Sequence, residues 1–266
     1  MSESAKKYSL HPKFAAVIDF ILNLATLVWL PHIGSWQWFG AWFLARAVLW
    51  GLFIRLVYYP PELKRWRHFL SLIFFNFGVI VSLVIFVEWK VAWYLLTGIF
   101  VLFSAVSFWL LPSGESNLSF YLKPYRRWLF LMDVFGLTGF WCGIFALMSF
   151  QLVPQKMFFL MNTLGTATST AVAIWWWQAY GLEYSRRFWL SALACLVLIF
   201  ELGWIIWRWP TGFLVAGTVM IWFWYNLWLV LRFNLTKEGI DWKKQKTFFV
   251  VDIILLIAFL FFVQWK

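Results

Sequence analysis

Charge is what this chain has least of. Asp, Glu, Lys and Arg make up only 12% of its 266 residues, while 64% are hydrophobic; a soluble domain carries about a quarter charged residues and under half apolar ones. So little polar surface excludes an aqueous globular fold, and lipid must be the solvent. Cysteine is scarce as well. Cys142 and Cys195 are the two in the chain, and both fall inside apolar runs; this excludes a disulfide framework and leaves them as small apolar fillers. His11, His32 and His68 sit near the ends of such runs, which argues against paired haem ligation. No lysine lies deep in a run, so a retinal-type Schiff base is excluded too. H-E-x-x-H, nucleophile-elbow and glycine-rich phosphate-loop patterns are all missing. The chain is therefore not expected to be an enzyme, and no cofactor or metal is expected. A lipid enzyme working through intramembrane aspartates is the one enzyme class left open.

What is present is a succession of long apolar runs. A spanning helix needs about 20 mostly apolar residues, and such runs lie near 14–30, 38–58, 68–87, 91–111, 127–150, 157–180, 188–207, 211–232 and 247–265. Turn residues separate them: Pro31 and Gly34, Pro60 and Pro61, Pro112 to Gly114, Pro154, Gly181 and Pro210. Period-two alternation is missing and the runs are too long for barrel strands. The expectation is an all-α integral membrane protein with about nine transmembrane helices. Its first run carries Asp19 and is followed by no A-x-A site, so it reads as a retained span rather than a cleaved signal peptide.

Basic residues alternate between the connecting loops. One side carries Lys6, Lys7 and Lys13; Lys64, Arg65 and Arg67; Lys123, Arg126 and Arg127; Arg186 and Arg187; then Lys237, Lys243, Lys244 and Lys246. The other carries only Lys90, Lys156, Arg208 and Lys266. The positive-inside rule then places the N-terminus in the cytoplasm and the C-terminus outside. The net charge of +11 is accounted for by topology and by anionic lipid at the cytoplasmic face, with no basic domain for nucleic acid. Tryptophans such as Trp38, Trp93 and Trp204 at one side, and Trp66, Trp128 and Trp189 at the other, fit interfacial belts. The run Trp175-Trp176-Trp177 exceeds what a belt needs and suggests the lining of an apolar groove.

Three segments open alike: "HPKFAAVIDFILN", "YRRWLFLMDVFGL" and "KQKTFFVVDIILL", each with an aspartate six residues after a basic residue. Asp19, Asp133 and Asp252 recur at about 120 residues, as do Glu62 with Glu183 and Arg67 with Arg187. This suggests a single transmembrane domain, 1–266, built from parallel four-helix units at 14–111 and 127–232 with an extra helix at 247–265.

Polar residues within the runs are the functional candidates, because hydrocarbon tolerates them only against protein or water. They are Asp19, Asn23, Arg46, Arg55, Asn76, Asp133, Asn162, Glu201 and Asp252. Asp19, Asn23 and Thr26 fall at i, i+4 and i+7, one face of a helix. Depth along the expected spans pairs Asp19 with Arg55 and Arg46 with Glu201. Asp133 and Asp252 find no basic partner at their depth. Gly165, Ser169 and Ala173 recur every four residues, the small-residue spacing of close helix packing, with Asn162, Thr166 and Thr170 on the adjacent face.

The stretch "ELGWIIWRWPTGFLVAGTVMIWFWYNLWLVLRFNLTKEGI" at 201–240 resembles a family of small bacterial polytopic membrane proteins catalogued as a domain of unknown function. The resemblance implies a bacterial inner membrane and carries no activity. Two readings follow. The first is a non-enzymatic subunit or scaffold of a membrane assembly, bound to a membrane-protein partner or to further copies of itself. The second is a small transporter or channel that uses the intramembrane carboxylates to pass protons, cations or a small apolar solute.

Overall fold

The structure is a computed structural model and describes residues 10–29, 36–59, 63–85, 90–111, 118–236, 239 and 242–262. Among the residues named above, Lys6, Lys7, Pro31, His32, Gly34, Pro60, Pro61, Glu62, Pro112 to Gly114, Lys237 and Lys266 lie outside that set. The described residues form nine α-helices: α1 Pro12–Trp29, α2 Trp36–Leu56, α3 Arg65–Ile85, α4 Lys90–Trp109, α5 Leu118–Ser149, α6 Phe158–Ala179, α7 Arg186–Trp207, α8 Phe213–Leu235 and α9 Trp242–Phe262. Among the described residues, four stretches, Lys123–Ser149, Gln155–Ala179, Arg186–Trp207 and Phe213–Leu235, are long and apolar enough to cross a membrane.

Local chemistry explains several of the ends. Gly181 adopts φ +78°, and Leu182 N donates to Trp177 O at 3.1 Å, so a left-handed residue closes α6. Ser185 opens α7: its Oγ accepts from Phe188 N at 3.1 Å, satisfying one of the free amides of the first turn. α5 begins at Leu118, ahead of the expected 127, and carries Pro124 within it. Pro124 is the seventh residue, past the first turn where proline is tolerated, so it removes one interior backbone hydrogen bond and favours a kink there.

The chain forms two compact units, Met1–Gly139 and Phe140–Lys266, divided within α5. In the first, α1 packs on α4, α4 on α3, and α3 on α2. α3 and the first part of α5 cross at backbone contact: a Cβ on Gly139 would lie 2.0 Å from Gly78 O, and one on Gly78 would lie 2.5 Å from Gly136 O. Only glycine fits there. In the second unit α6, α7 and α8 pack on one another. The expected small-residue face of α6 receives an indole: Trp141 lies against Gly165 and donates to Ser169 Oγ at 2.9 Å. Trp176 and Trp177 are buried core residues, so the tryptophan run does not line an open groove.

Several polar side chains are buried within an apolar core, and many large apolar ones are exposed. Asp19, Asn23, Asn76, Asp133 and Asn162 are fully buried, while Leu44, Val48, Leu152 and Phe261 are 68%, 63%, 70% and 82% exposed. Lipid outside and polar side chains inside account for both.

A buried polar network as candidate functional site

The network is assembled by the level at which α1 and α2 meet. Leu10 N lies 3.4 Å from Leu56 O, so the start of α1 stands beside the end of α2. At about 1.5 Å per residue, Asp19 is then about 13.5 Å along the chain from Leu10 and Arg46 about 15 Å back from Leu56. An arginine side chain easily covers that difference. Arg46 Nη2 donates to Asp19 Oδ1 at 2.9 Å, forming a buried ion pair.

This corrects both expected pairings. Arg55, expected to meet Asp19, lies one residue from Leu56 at the end of α2, about a third of a span away, and it is exposed. Glu201, expected to meet Arg46, is exposed on α7 and makes no hydrogen bond or ion pair with a described residue. The expected spans start α1 and end α2 too late, by two residues each. Those offsets add, and they placed Arg46 well beyond the reach of Asp19.

Asp19 is saturated with donors. Oδ1 also accepts from Trp50 Nε1 at 2.8 Å; Oδ2 accepts from Ser104 Oγ at 2.6 Å and from Asn23 Nδ2 at 3.1 Å. Asn23 donates to Ser104 Oγ at 2.7 Å, and its Oδ1 accepts from Arg46 Nη2. The Arg46 guanidinium also lies over the Trp50 ring, 4.7 Å from its centroid, where the ring face attracts a cation. Three helices thus contribute to one carboxylate, which accepts four donors and faces the guanidinium. Thr26, a further turn along α1, accepts from Trp42 Nε1 at 3.3 Å.

A second group adjoins it. His68 Nε2 lies 2.8 Å from Ser107 Oγ, and its Nδ1 lies 2.6 Å from Tyr59 Oη. Ser107 donates its one hydrogen to Ser104 O at 2.5 Å. Its oxygen must therefore accept from His68 Nε2–H, and His68 Nδ1 must accept from the Tyr59 hydroxyl. Burial, with Tyr125 adding to it, pushes the Tyr59 phenol well above its ordinary range, which keeps it a donor. The donor chain runs from Tyr59 to His68 to Ser107 and stops at a backbone carbonyl. A carbonyl accepts a hydrogen bond but holds no proton to pass on, so this chain does not connect to the Ser104 hydroxyl on Asp19.

The other candidates are separate. Asp133 is fully buried and accepts from Ser71 Oγ at 3.1 Å. Asp252 is half-buried and accepts from Trp222 Nε1 and Asn226 Nδ2, each at 2.8 Å. Like Asp19, it takes one indole and one carboxamide donor. Asn76 donates to Leu72 O of its own helix at 2.8 Å, and Asn162 donates to Phe200 O at 2.9 Å. Asp19, Asn23 and Arg46 are the candidates that the fold brings into one network.

Sequence reasoning missed Trp50, Tyr59, His68, Ser104 and Ser107. The available signal was Ser104 and Ser107 at i and i+3 in the apolar second half of α4, which marks a polar face.

Helices that bury their polar residues and expose leucine, four of them of spanning length among the described residues, define a helical membrane protein. No family model, no curated protein and no solved structure matches the chain.

Proposed function

We propose that this chain is a non-enzymatic subunit or scaffold of a membrane assembly. The observation that carries the reading is the state of Asp19: a carboxylate saturated by Arg46, Trp50, Ser104 and Asn23, beside a donor chain that ends on a carbonyl. A relay needs groups that can lose and regain a proton along a continuous path, whereas a saturated carboxylate pins helices. Nine spans belong to the reading. α1 has 18 residues, α4 has 20, and α2, α3 and α9 have 21 each; each suits a hydrocarbon core of about 30 Å. With the basic loops in the cytoplasm, the N-terminus is inside, the C-terminus outside, and anionic lipid binds the inner face. A bacterial inner membrane is the location, and a parallel four-helix repeat is the ancestry that the three aspartates favour.

Proteoliposomes holding a pH-sensitive dye, driven by a potassium diffusion potential, test the reading. Wild-type protein should leave the proton leak of empty vesicles unchanged. A leak that rises with protein and is abolished by Asp19→Asn would replace the scaffold with a transporter.

A further inference from the structure

Glu201 is the one intramembrane candidate carboxylate that the fold leaves on the outside. It lies six residues before the end of α7, so it stands about 9 Å in from one end and about 22 Å from the other. It borders a cleft of about 470 Å³ between α6 and α7, lined by Phe159, Phe200, Trp204 and Ile205. Leu193, Val197 and Ile205, which continue this face of α7, are 57%, 43% and 50% exposed. The nearest cation along the helix, Arg208, stacks over Trp204 and Trp207 at 5.5 and 5.9 Å, and no ion pair joins it to Glu201. A carboxylate facing hydrocarbon without a partner is costly, and such residues mark contacts that the isolated chain does not contain.

We infer that this cleft seats a transmembrane helix of a partner protein carrying a lysine or arginine at the depth of Glu201. Charge complementarity selects the occupant. A second copy meets it poorly: a two-fold axis passing beside the cleft would bring the two Glu201 carboxylates close together, where like charges repel. Among the exposed basic residues of the helices, Arg55 and Lys90 stand at the ends of α2 and α4, and Arg127 lies about 33 Å from the C-terminal end of α5, against about 9 Å for Glu201 in α7. The aromatic walls of the cleft suit a lysine or arginine stem, with the charge carried to the carboxylate. The inference rests on the subunit reading and names the chemistry of the partner.

The test uses full-length protein in lipid nanodiscs and three synthetic 24-residue leucine–alanine helices. These carry a single lysine, leucine or glutamate about 9 Å from one end, and association is followed by energy transfer. The lysine helix should bind wild type roughly ten-fold tighter than the leucine helix, the scale of one interhelical polar contact in lipid. Glu201→Leu should abolish the preference, and Glu201→Lys should transfer it to the glutamate helix. Melting of both variants in detergent should match wild type, since Glu201 contacts no described polar group. Equal binding of the lysine and leucine helices to wild type overturns the inference, as does a lysine preference that persists in Glu201→Leu. Self-association of wild type that Glu201→Leu removes also overturns it, in favour of a second copy. Any of these results with a silent flux assay leaves the subunit reading in place and removes only the site.

Discussion

At the residue scale, the decisive fact is that one carboxylate satisfies polar groups from three helices. Removing either member of the Asp19–Arg46 pair leaves a buried charge alone, which costs roughly 3–5 kcal/mol. Asp19→Leu and Arg46→Leu should each lower the denaturant midpoint in mixed detergent micelles. The double variant should lose clearly less than the sum of the two, though not recover fully, because Trp50, Ser104 and Asn23 would keep unmet groups. Strictly additive losses would show that the pair is uncoupled. Ser104→Ala removes the Ser104 donor to Asp19 and the acceptor of Asn23, so a loss of about 1–3 kcal/mol is expected in the same measurement. Arg55→Leu, at an exposed position, should leave the midpoint within about 0.5 kcal/mol of wild type.

At the scale of elements, two crossings are set by what the helices carry. α3 meets α5 at Gly78, Gly136 and Gly139, where backbone touches backbone. Gly139→Ala should force the helices apart and lower the midpoint, whereas Gly98→Ala in α4, where a Cβ meets nothing within 4 Å, should be neutral or stabilising by up to about 1 kcal/mol. Equal effects at the two sites would refute the close crossing. α9 hangs on Asp252: Val250, Ile254 and Ile257 are 46%, 58% and 61% exposed, and Trp222 and Asn226 of α8 hold its carboxylate. Asp252→Leu should raise amide hydrogen exchange in α9 while leaving α1 to α4 protected. Uniform exchange across the chain would mean that the contact does not anchor α9.

For the whole molecule, orientation is the property that loop charge controls. Single cysteines introduced at residues 3 and 265, in a background lacking Cys142 and Cys195, should differ in intact cells. The membrane-impermeant reagent should label 265 only. Labelling at 3 alone would invert the topology and place the basic loops outside. The same experiment with a cysteine at Lys156 tests an intermediate loop, which should also label.

The sequence by itself determined the solvent and the class of the protein. Apolar runs and scarce charge need no tertiary information, since each helix must satisfy lipid along its own length. It also determined the polar face of α1, because Asp19, Asn23 and Thr26 follow the period of one helix, and all three proved buried. The chemistry of the network was settled only by the tertiary structure. Ser104 and Trp50 stand far from Asp19 in the chain, and nothing local to them names Asp19 as their shared partner. Depth arithmetic assigned Arg46 to Glu201 and Arg55 to Asp19 because each rise is counted from a helix end. The true ends of α1 and α2 each lie two residues from the expected ones. Two small errors in the same direction separate a pair that the Leu10–Leu56 contact holds level. Which helix end stands beside which is decided by packing, and hydropathy carries no record of it.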